Sequence, residues 1–329
     1  MKNLKAGVIG LGIGKQHVRV LKAMSGVDLV GVVDMRAELA QEVARQHGVK
    51  AFVEAARLLH EESLDFVCIC TPPASHAALT EQAAERGVHV FCEKPMAATL
   101  ADCDRMIRSC EKAGVKLMIG QKKRFHPNVQ FVKERTASDF GPIRWATIRY
   151  ACGRVPMDWF WDEADGGGPL HENSVHAMDL LRHLVGDVER VYAEGGNLFN
   201  PSRRFQEDAA VVSLRFKNGA VAAIGCGQTW EWSFSGEGAW LATERAVIEM
   251  TGGFDNPRHL KYLLRDNPEN TQDMDAGEVD LFERELAHFV GCIREDRTVL
   301  VTGEEGRASI AVCLAVKESI RTGKAVKPR

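Results

Sequence analysis

Short apolar runs alternate with helical patterns through the first 120 residues, and this alternation restricts the fold more than any other feature of the sequence. It predicts a doubly wound parallel sheet with helices on both faces, because parallel strands need a crossover between them. The six predicted strands are Ala6–Ile9, Asp28–Asp34, Ala51–Val53, Asp65–Thr71, His89–Cys92 and Lys116–Gly120. The predicted helices between them are Lys15–Met24, Ala37–His47, Thr80–Arg86 and Thr99–Ala113.

The pattern changes after Gln121, where longer alternating runs predict an α+β domain on a mainly antiparallel sheet. Asn218-Gly219 is a strong hairpin signal between two of these runs. The polar segment Asp266–Gly277 is expected to be a surface loop. The predicted strands are Ile143–Tyr150, Val188–Glu194, Ala209–Phe216 and Ala220–Cys226, and the helices are Glu172–Leu184, Leu281–Arg294 and Glu304–Thr322. We therefore predict two domains, residues 1–121 and 122–329.

Composition excludes several classes of protein. The 42 basic and 45 acidic residues give a net charge of -3, which supports neither a nucleic-acid surface nor a basic membrane patch. The nine cysteines lack Cys-x-x-Cys spacing, and Cys68 and Cys70 fall in an apolar strand, so buried reduced thiols are expected. The chain opens directly into its first strand, so we expect no signal peptide. No uncharged stretch reaches the length of about 18 residues that spans a bilayer, so we expect no membrane span. The reduced thiols indicate a reducing cytosol and therefore a cytoplasmic location.

The segment Gly10-Leu11-Gly12-Ile13-Gly14 follows a predicted strand and opens a predicted helix. Glycine permits a tight turn and lets the backbone approach a pyrophosphate, whose charge then meets the helix N-terminus. Asp34 ends the next strand, 20 residues after Gly14, where a carboxylate that binds an adenosine ribose is expected. These residues indicate a dinucleotide site.

Two other interpretations of the glycine segment remain open. Its spacing departs from Gly-x-Gly-x-x-Gly, since Lys15 holds the place of the third glycine. The run also fits methyltransferases that bind S-adenosylmethionine, although those usually carry an acidic residue where Val8 stands. A strand-to-helix turn that binds no ligand is the third interpretation.

Two more segments follow predicted parallel strands, at the edge where open α/β sheets bind ligands. One is Thr71-Pro72-Pro73-Ala74-Ser75-His76 and the other is Glu93-Lys94-Pro95. Taken alone, each is more typical of an ordinary turn or solvated loop than of a site.

A glycine-rich segment, Gly166–Gly168, precedes a predicted helix that carries acidic and histidine residues. Glu172 and His176 are four residues apart, so a continuous helix would place them on one face, which Asp179 extends. A buried structural stripe is the alternative interpretation. The spacing of His171 and His176 is five rather than the four of a zinc-protease helix, so we expect no metal site.

Together these segments resemble one family, the Gfo/Idh/MocA oxidoreductases, which include glucose-fructose oxidoreductase and inositol dehydrogenase. The resemblance covers nearly the whole chain, and its most specific motif is Glu-Lys-Pro. The matching segments are Val8–His17, Cys70–Pro73 with His76, His89–Pro95, Arg124–Pro127, and Gly166–Gly168 with His176 and Asp179.

The resemblance implies a Rossmann domain followed by a substrate domain with a large open sheet, assembled as a homodimer or homotetramer. It also implies that Lys94 lies between nicotinamide and substrate and that His176 accepts a proton. Glu172 stands where the family commonly has aspartate, and we expect it to take part in catalysis by binding a substrate hydroxyl or by orienting the His176 imidazole. The residues expected to bind the cofactor are Gly10, Gly12, Ile13, Gly14, Asp34, Arg36, Thr71, Pro72, His76, Glu93 and Lys94. Those expected to bind the substrate are Arg124, Trp161, Glu172, Asn173 and His176.

We therefore predict an NAD-dependent oxidoreductase that moves a hydride between a secondary alcohol of a sugar, polyol or inositol and the nicotinamide. Asp34 favours NAD, whereas Arg36 makes NADP the alternative cofactor, since it can neutralise a phosphate. A cofactor-binding sensor without catalysis is the alternative function on the same fold. The joint presence of Lys94, Glu172 and His176 argues against that alternative.

Overall fold

The computed structural model describes residues 2–200, 202, 207–234, 236–253 and 256–329. The chain divides into two compact units. The first unit comprises Met1–Gln121 and Phe282–Arg307, and the second comprises Lys122–Leu281 and Ala308–Arg329. No helix in the described part of the chain is long and apolar enough to span a membrane.

A six-stranded parallel sheet forms the centre of the first unit, as predicted. Its strands are β1 Leu4–Ile9, β2 Val27–Val33, β3 Lys50–Phe52, β4 Phe66–Ile69, β5 His89–Glu93 and β6 Leu117–Gly120. The order β3-β2-β1-β4-β5-β6 is that of the doubly wound dinucleotide-binding fold. Every residue of β4 is buried, which explains its continuously apolar sequence.

Three of the helices in this half lie within one residue of the predicted bounds, whereas a fourth begins at His76 rather than at the predicted Thr80. The helices are α1 Gly14–Ala23, α2 Ala37–His47, α3 Ala55–Glu61, α4 His76–Glu85 and α5 Leu100–Ala113, of which α3 was not predicted. The Thr99 hydroxyl accepts a hydrogen bond from the Asp102 N–H at the start of α5. Gly48 and Gly114 end α2 and α5 with positive φ, a conformation that glycine adopts at little cost.

The second unit is built on an eight-stranded sheet, antiparallel except for one parallel pair. Its strands are β7 Ile143–Ala151, β8 Val188–Gly196, β9 Ala209–Phe216, β10 Val221–Gly227, β11 Gly236–Thr243, β12 Ala246–Gly253, β13 Asn256–Leu264 and β14 Asn267–Asp275. The order is β14-β13-β12-β11-β7-β10-β9-β8. Gly219, with φ of 87°, lies between β9 and β10, so the Asn-Gly hairpin is confirmed.

The remaining helices are distributed between the two units. They are α6 Pro127–Ala137, α7 Asp158–Trp161, α8 Pro169–Glu172, α9 Val175–Val185, α10 Leu281–Arg294 and α11 Gly303–Thr322. From Phe282 onward, α10 belongs to the first unit, and α11 changes units after Arg307. The chain therefore returns to its first unit near the C-terminus, a path that sequence periodicity does not show.

The prediction of a surface loop at Asp266–Gly277 is wrong, because most of this segment forms β14. All nine residues of this strand are exposed, so it has no alternating apolar pattern for sequence analysis to detect. It is held by backbone pairing to β13 and by the Arg258 guanidinium, which donates to Asp275 at 2.8 Å. Charged, exposed residues are typical of edge strands, because they discourage pairing with other chains.

All nine cysteines lie in the described part of the chain, where they are buried and form no disulfide. This confirms the prediction of buried thiols. Burial raises the pKa of the Cys103 thiol to about 12, so it stays protonated at neutral pH.

Candidate active site

The glycine loop after β1 leaves its backbone accessible. Gly10 has φ of 91°, and a Cβ built there would lie 2.8 Å from the Cys70 carbonyl and the Thr71 nitrogen. A Cβ at Gly12 would meet nothing within 4 Å. Glycine is therefore required by crowding at Gly10, whereas Gly12 faces open space at the start of α1. A phosphate can approach the backbone there and meet the helix N-terminus, so the loop fits a dinucleotide.

Asp34 follows β2 and contacts this loop directly. Its carboxylate accepts a hydrogen bond from the Leu11 N–H at 2.9 Å and from Arg36 through both guanidinium and backbone. Burial acts to raise the pKa of Asp34, but these hydrogen bonds outweigh it and the pKa lies below its ordinary value. The carboxylate is therefore ionised at neutral pH, beside an Arg36 side chain that is 67% exposed.

The segment after β4 forms a compact turn held by its own polar groups. The Thr71 and Ser75 hydroxyls are 2.6 Å apart, and Ser75 Oγ donates to the Pro72 carbonyl at 2.9 Å. His76 is fully buried, with Nε2 2.7 Å from the Thr71 carbonyl and Nδ1 3.1 Å from the Pro95 carbonyl. The His76 ring thus bridges two loops at the carboxyl edge of the sheet, and burial lowers its pKa.

The segment after β5 presents one partly exposed side chain. Lys94 has intermediate exposure, while its neighbours from Phe91 to Ala97 are buried. Glu93 Oε1 lies 2.7 Å from His17 Nε2, and Glu93 Oε2 accepts the Lys94 backbone N–H at 3.1 Å.

Sequence analysis did not identify the full environment of Glu93. Glu285 on α10 joins His17 and Glu93, with ligand atoms of the three residues within 4.8 Å of one another. No sequence signal connects Glu285 to this cluster, because it comes from the distant return of the chain to the first unit.

In the second unit, Glu172 and His176 do not share a continuous helix, so that prediction is wrong. Glu172 is the last residue of α8, and His176 lies in the first turn of α9. The His176 N–H bonds to the Asn173 carbonyl rather than to that of Glu172. The break falls at Asn173 and Ser174, whose N–H groups both bond to the Pro169 carbonyl.

The His176 side chain lies in an aromatic and charged environment that the sequence did not reveal. Its ring is 6.2 Å from that of Tyr150, in an edge-to-face arrangement, and only 2% of the residue is exposed. The ammonium group of Lys123 lies over the Tyr150 ring, 4.6 Å from its centroid. Lys123 also forms a buried ion pair with Glu237. Tyr150 thus contacts both His176 and the Lys123 ammonium group.

Arg124, Asp179 and Ser309 form a buried network in the same unit. The guanidinium of Arg124 donates to both carboxylate oxygens of Asp179, at 2.8 and 2.7 Å. Ser309 donates to the same carboxylate at 2.9 Å. Arg124 is only 2% exposed, so this bidentate pair fixes α9 one turn beyond His176.

Two further predicted substrate residues, Trp161 and Asn173, form hydrogen bonds with the segment of residues 152–155. The Trp161 indole N–H donates to the Val155 carbonyl at 2.8 Å, and the residue is 5% exposed. Asn173 Nδ2 is 2.8 Å from Cys152 Sγ.

Two family matches cover most of the chain. Residues 4–121 match an oxidoreductase family with an NAD-binding Rossmann fold, and residues 136–327 match its C-terminal alpha/beta domain. Both are domains of oxidoreductases, so the family match favours the dinucleotide interpretation of the glycine loop over the methyltransferase one.

Relatives of known name agree with these matches over nearly their full length. The uncharacterized oxidoreductase YrbE of Bacillus subtilis is 30% identical, with 99% of this chain and 96% of that one covered. Myo-inositol 2-dehydrogenase of Thermotoga maritima is 29% identical, with 98% of each covered. The WlbA dehydrogenase of Bordetella pertussis, solved with NADH and UDP-GlcNAcA, is 26% identical and superposes with a TM-score of 0.85 over 99% of each chain. The chain belongs to the Gfo/Idh/MocA family of oxidoreductases.

Proposed function

We propose that this protein is an NAD-dependent dehydrogenase that acts on a secondary alcohol of a sugar, polyol or inositol. The observation that carries the proposal is the glycine loop, which is open at Gly12 and holds the ionised Asp34 carboxylate through the Leu11 N–H. One relative that matches over 98% of each chain is named a myo-inositol 2-dehydrogenase, which supports the substrate class.

The first unit holds the cofactor in this proposal. The backbone from Gly10 to Gly14 binds the pyrophosphate and Asp34 binds the adenosine ribose, with Arg36 beside it. The other residues that we assign to this site are Thr71, Pro72, His76, Glu93 and Lys94, of which His76 acts through the two loops it contacts. When bound, nicotinamide supplies the hydride chemistry, which no side chain can perform.

His176 is the proposed proton acceptor. Oxidation of an alcohol releases the hydroxyl proton, and histidine suits this role because its ordinary pKa is close to neutral pH. Glu172 and Asn173, immediately before α9, are proposed to bind substrate hydroxyls.

Lys94 is proposed to stabilise negative charge that develops on the substrate oxygen. A fixed ammonium group beside a reacting oxygen acts electrostatically and needs no proton transfer. Arg124 and Trp161 stay assigned to substrate binding. The geometry suggests that they act by supporting the pocket, since Arg124 is paired with Asp179 and the Trp161 N–H bonds to Val155.

The test is a substrate panel. Purified protein is mixed with NAD and a series of inositols, hexoses and sugar acids, and reduction of NAD is followed by absorbance. We expect turnover of at least one compound. A protein that binds NAD but turns over none of them would contradict the proposal and favour the sensor alternative.

The remaining parts of the proposal concern location and assembly. We propose a cytoplasmic enzyme without nucleic-acid or membrane partners, as the near-neutral net charge of -3 favours. We also propose a homodimer or homotetramer, with residues 1–121 as the cofactor domain and 122–329 as the substrate and assembly domain.

A further inference from the structure

The segment that carries Lys94 is held on both sides by buried histidines. On the N-terminal side, Glu93 contacts His17, which is 0% exposed. On the C-terminal side, the carbonyls of Pro95 and Met96 each lie 3.1 Å from His76 Nδ1. Lys94 is therefore the partly exposed residue of a segment whose neighbours are fixed in the interior.

A proton must lie between His17 and Glu93. The two facing atoms are 2.7 Å apart, and a carboxylate oxygen only accepts, so either His17 Nε2 donates or Glu93 carries the proton. Glu285 adds a second buried carboxyl group to the same cluster. The rings of Phe91 and Phe282 lie 5.2 and 5.4 Å from the His17 ring and fix its plane.

The cluster holds the backbone of Lys94 through Glu93. One Glu93 oxygen is held by His17, and the other accepts the Lys94 N–H at 3.1 Å. His17 is also one turn into α1, the helix that begins at the glycine loop. The position of Lys94 is thereby tied to the helix on which the cofactor pyrophosphate is proposed to rest.

His76 ties the same segment to the neighbouring strand. Its Nε2 faces the Thr71 carbonyl at 2.7 Å, so the ring spans from the loop after β4 to the loop after β5. Two buried imidazoles thus fix the backbone on either side of Lys94. This fixes the position of the Lys94 Cα, from which a long and flexible side chain extends.

We propose that two residues, His17 and His76, are positioning residues that fix Lys94 for catalysis. This proposal rests on the proposed function, in which Lys94 stabilises the substrate oxygen. Neither histidine needs to touch the substrate. Loss of either should misplace the ammonium group, and a displacement of about 1 Å can cost about 10²-fold in rate.

The first experiment measures hydrogen exchange in the ligand-free protein, and it does not depend on activity. In His17→Leu and His76→Leu, the peptide of residues 92–97 should exchange faster, because the contacts that hold it are lost. The control is His89→Leu, at the opposite end of β5, where Nδ1 accepts the Lys116 N–H at 2.9 Å. Unchanged exchange at 92–97 in both test variants would overturn the proposal.

The second experiment is a double-mutant cycle on kcat, using the panel compound with the highest turnover. His17→Leu should lower kcat and leave NAD affinity unchanged, and His17→Gln should restore part of the loss, since the glutamine amide can donate to Glu93. In a Lys94→Ala background, His17→Leu should cause no further loss. Losses that add in full would overturn the proposal.

Two outcomes separate this proposal from others. If Lys94→Ala keeps full activity, the role assigned to Lys94 in the proposed function fails, while the exchange result still tests the positioning. Metal analysis of the purified protein should find no stoichiometric divalent ion. An ion present in the wild type and lost in His17→Leu would overturn the assignment of a proton to the cluster.

Discussion

At the scale of single residues, His176 gives the most direct test of the proposed chemistry. A general base contributes about 10²–10⁴-fold, so His176→Ala should lower kcat by about that factor. NAD affinity should remain nearly unchanged, because His176 is not among the residues proposed to hold the cofactor. The measurement is kcat, NAD affinity and melting temperature on one preparation.

The matched control for His176 lies on the same helix. His183 has intermediate exposure, two turns further along α9, and His183→Ala should retain wild-type kcat. Because His176 is only 2% exposed, a purely structural histidine would lower the melting temperature and leave the activity of folded protein intact. A folded His176→Ala protein with near wild-type kcat would sink the assignment.

Asp34 and Arg36 make a prediction about cofactor choice. The Asp34 carboxylate is ionised and should repel a 2'-phosphate, so NAD should give the higher kcat/KM. Asp34→Ala removes this repulsion and releases the Arg36 guanidinium, now 2.9 Å from the carboxylate, to meet a phosphate. Discrimination against NADP should shrink in Asp34→Ala and should grow in Arg36→Ala. A wild-type preference for NADP would contradict this account.

His76 makes a prediction about pH. Burial lowers its pKa below the ordinary 6.5, although Glu93 and the facing carbonyls act in the opposite direction. The unfolded chain therefore binds more protons as the pH falls through about 6.5, and stability is lost in that interval. Between about pH 7.5 and about pH 5.5, His76→Gln should therefore lose less stability than the wild type. The measurement is the unfolding midpoint of both proteins at the two pH values.

Two other histidines also have a lowered pKa, and they add to the loss of stability at acid pH. Burial also lowers the pKa of His89, beside Lys116, and of His288, beside Arg297. The His76→Gln protein should thus retain part of the wild-type acid sensitivity. An acid sensitivity identical to that of the wild type would show that His76 does not stay neutral in the folded protein.

Residue types and spacing predicted where chemistry-bearing side chains lie, but not how they are partnered. The position of Asp34 at the end of β2 follows from the spacing after Gly14. The bidentate pairing of Arg124 with Asp179 does not, because nothing in their separation of 55 residues signals a contact. Long-range partners of buried charges depend on tertiary packing, which one sequence does not show.

At the scale of elements, the alternation of apolar runs and helical patterns predicted the six parallel strands of the first unit, and each was found. In the second unit, three strands and one helix were not predicted although they bury apolar residues: β11, β12, β13 and α6. The predicted helix Glu172–Leu184 is instead broken at Asn173–Ser174, because i, i+4 spacing is also compatible with two short helices in sequence. Strand β14 was also missed, and it buries none of its nine residues, so it has no apolar alternation.

Helix α11 carries an element-scale prediction about stability. Ser319 is fully buried, and its hydroxyl accepts the Ala193 N–H at 2.9 Å and donates to the Lys324 carbonyl at 2.7 Å. Ser319→Ala would leave a buried N–H on β8 without that partner, at a cost of about 1–3 kcal/mol in unfolding free energy. Denaturant unfolding measures this change.

The control for Ser319 is on the next turn of the same helix. The Thr322 hydroxyl donates to the Glu318 carbonyl at 2.7 Å, but at an exposed position. Thr322→Ala should change the free energy of unfolding by no more than about 0.5 kcal/mol. Equal effects of the two substitutions would show that Ser319 does not brace β8.

At the scale of the whole molecule, the open face of the eight-stranded sheet requires explanation. Register places Val221 beside Trp145 on this face, and these residues are 39% and 46% exposed. Tyr192 and Val211 on the neighbouring strands are 40% and 64% exposed. The opposite face, which includes Ile148, is buried. A sheet covered on one side thus leaves aromatic and aliphatic side chains in water on the other.

This face is the predicted assembly surface. Exposed apolar patches on soluble proteins mark association sites, and a two-fold interface brings the same patch of two copies together. Light scattering at micromolar concentration should therefore give the mass of a dimer or tetramer. Val211→Glu should shift that mass toward the monomer, because two-fold symmetry would bury a pair of like charges without compensating partners.

The control for assembly is an equivalent change in the first unit. Val53 is 42% exposed, close to the values on the sheet, so Val53→Glu adds the same charge at a similar aliphatic site. It should leave the oligomeric mass unchanged, since it lies outside the proposed surface. If Val211→Glu remained assembled while Val53→Glu dissociated, the interface would have to lie on the first unit. A monomeric wild type would instead show that the open sheet face is stable in water, with charged neighbours such as Arg190 and Arg215 keeping it solvated.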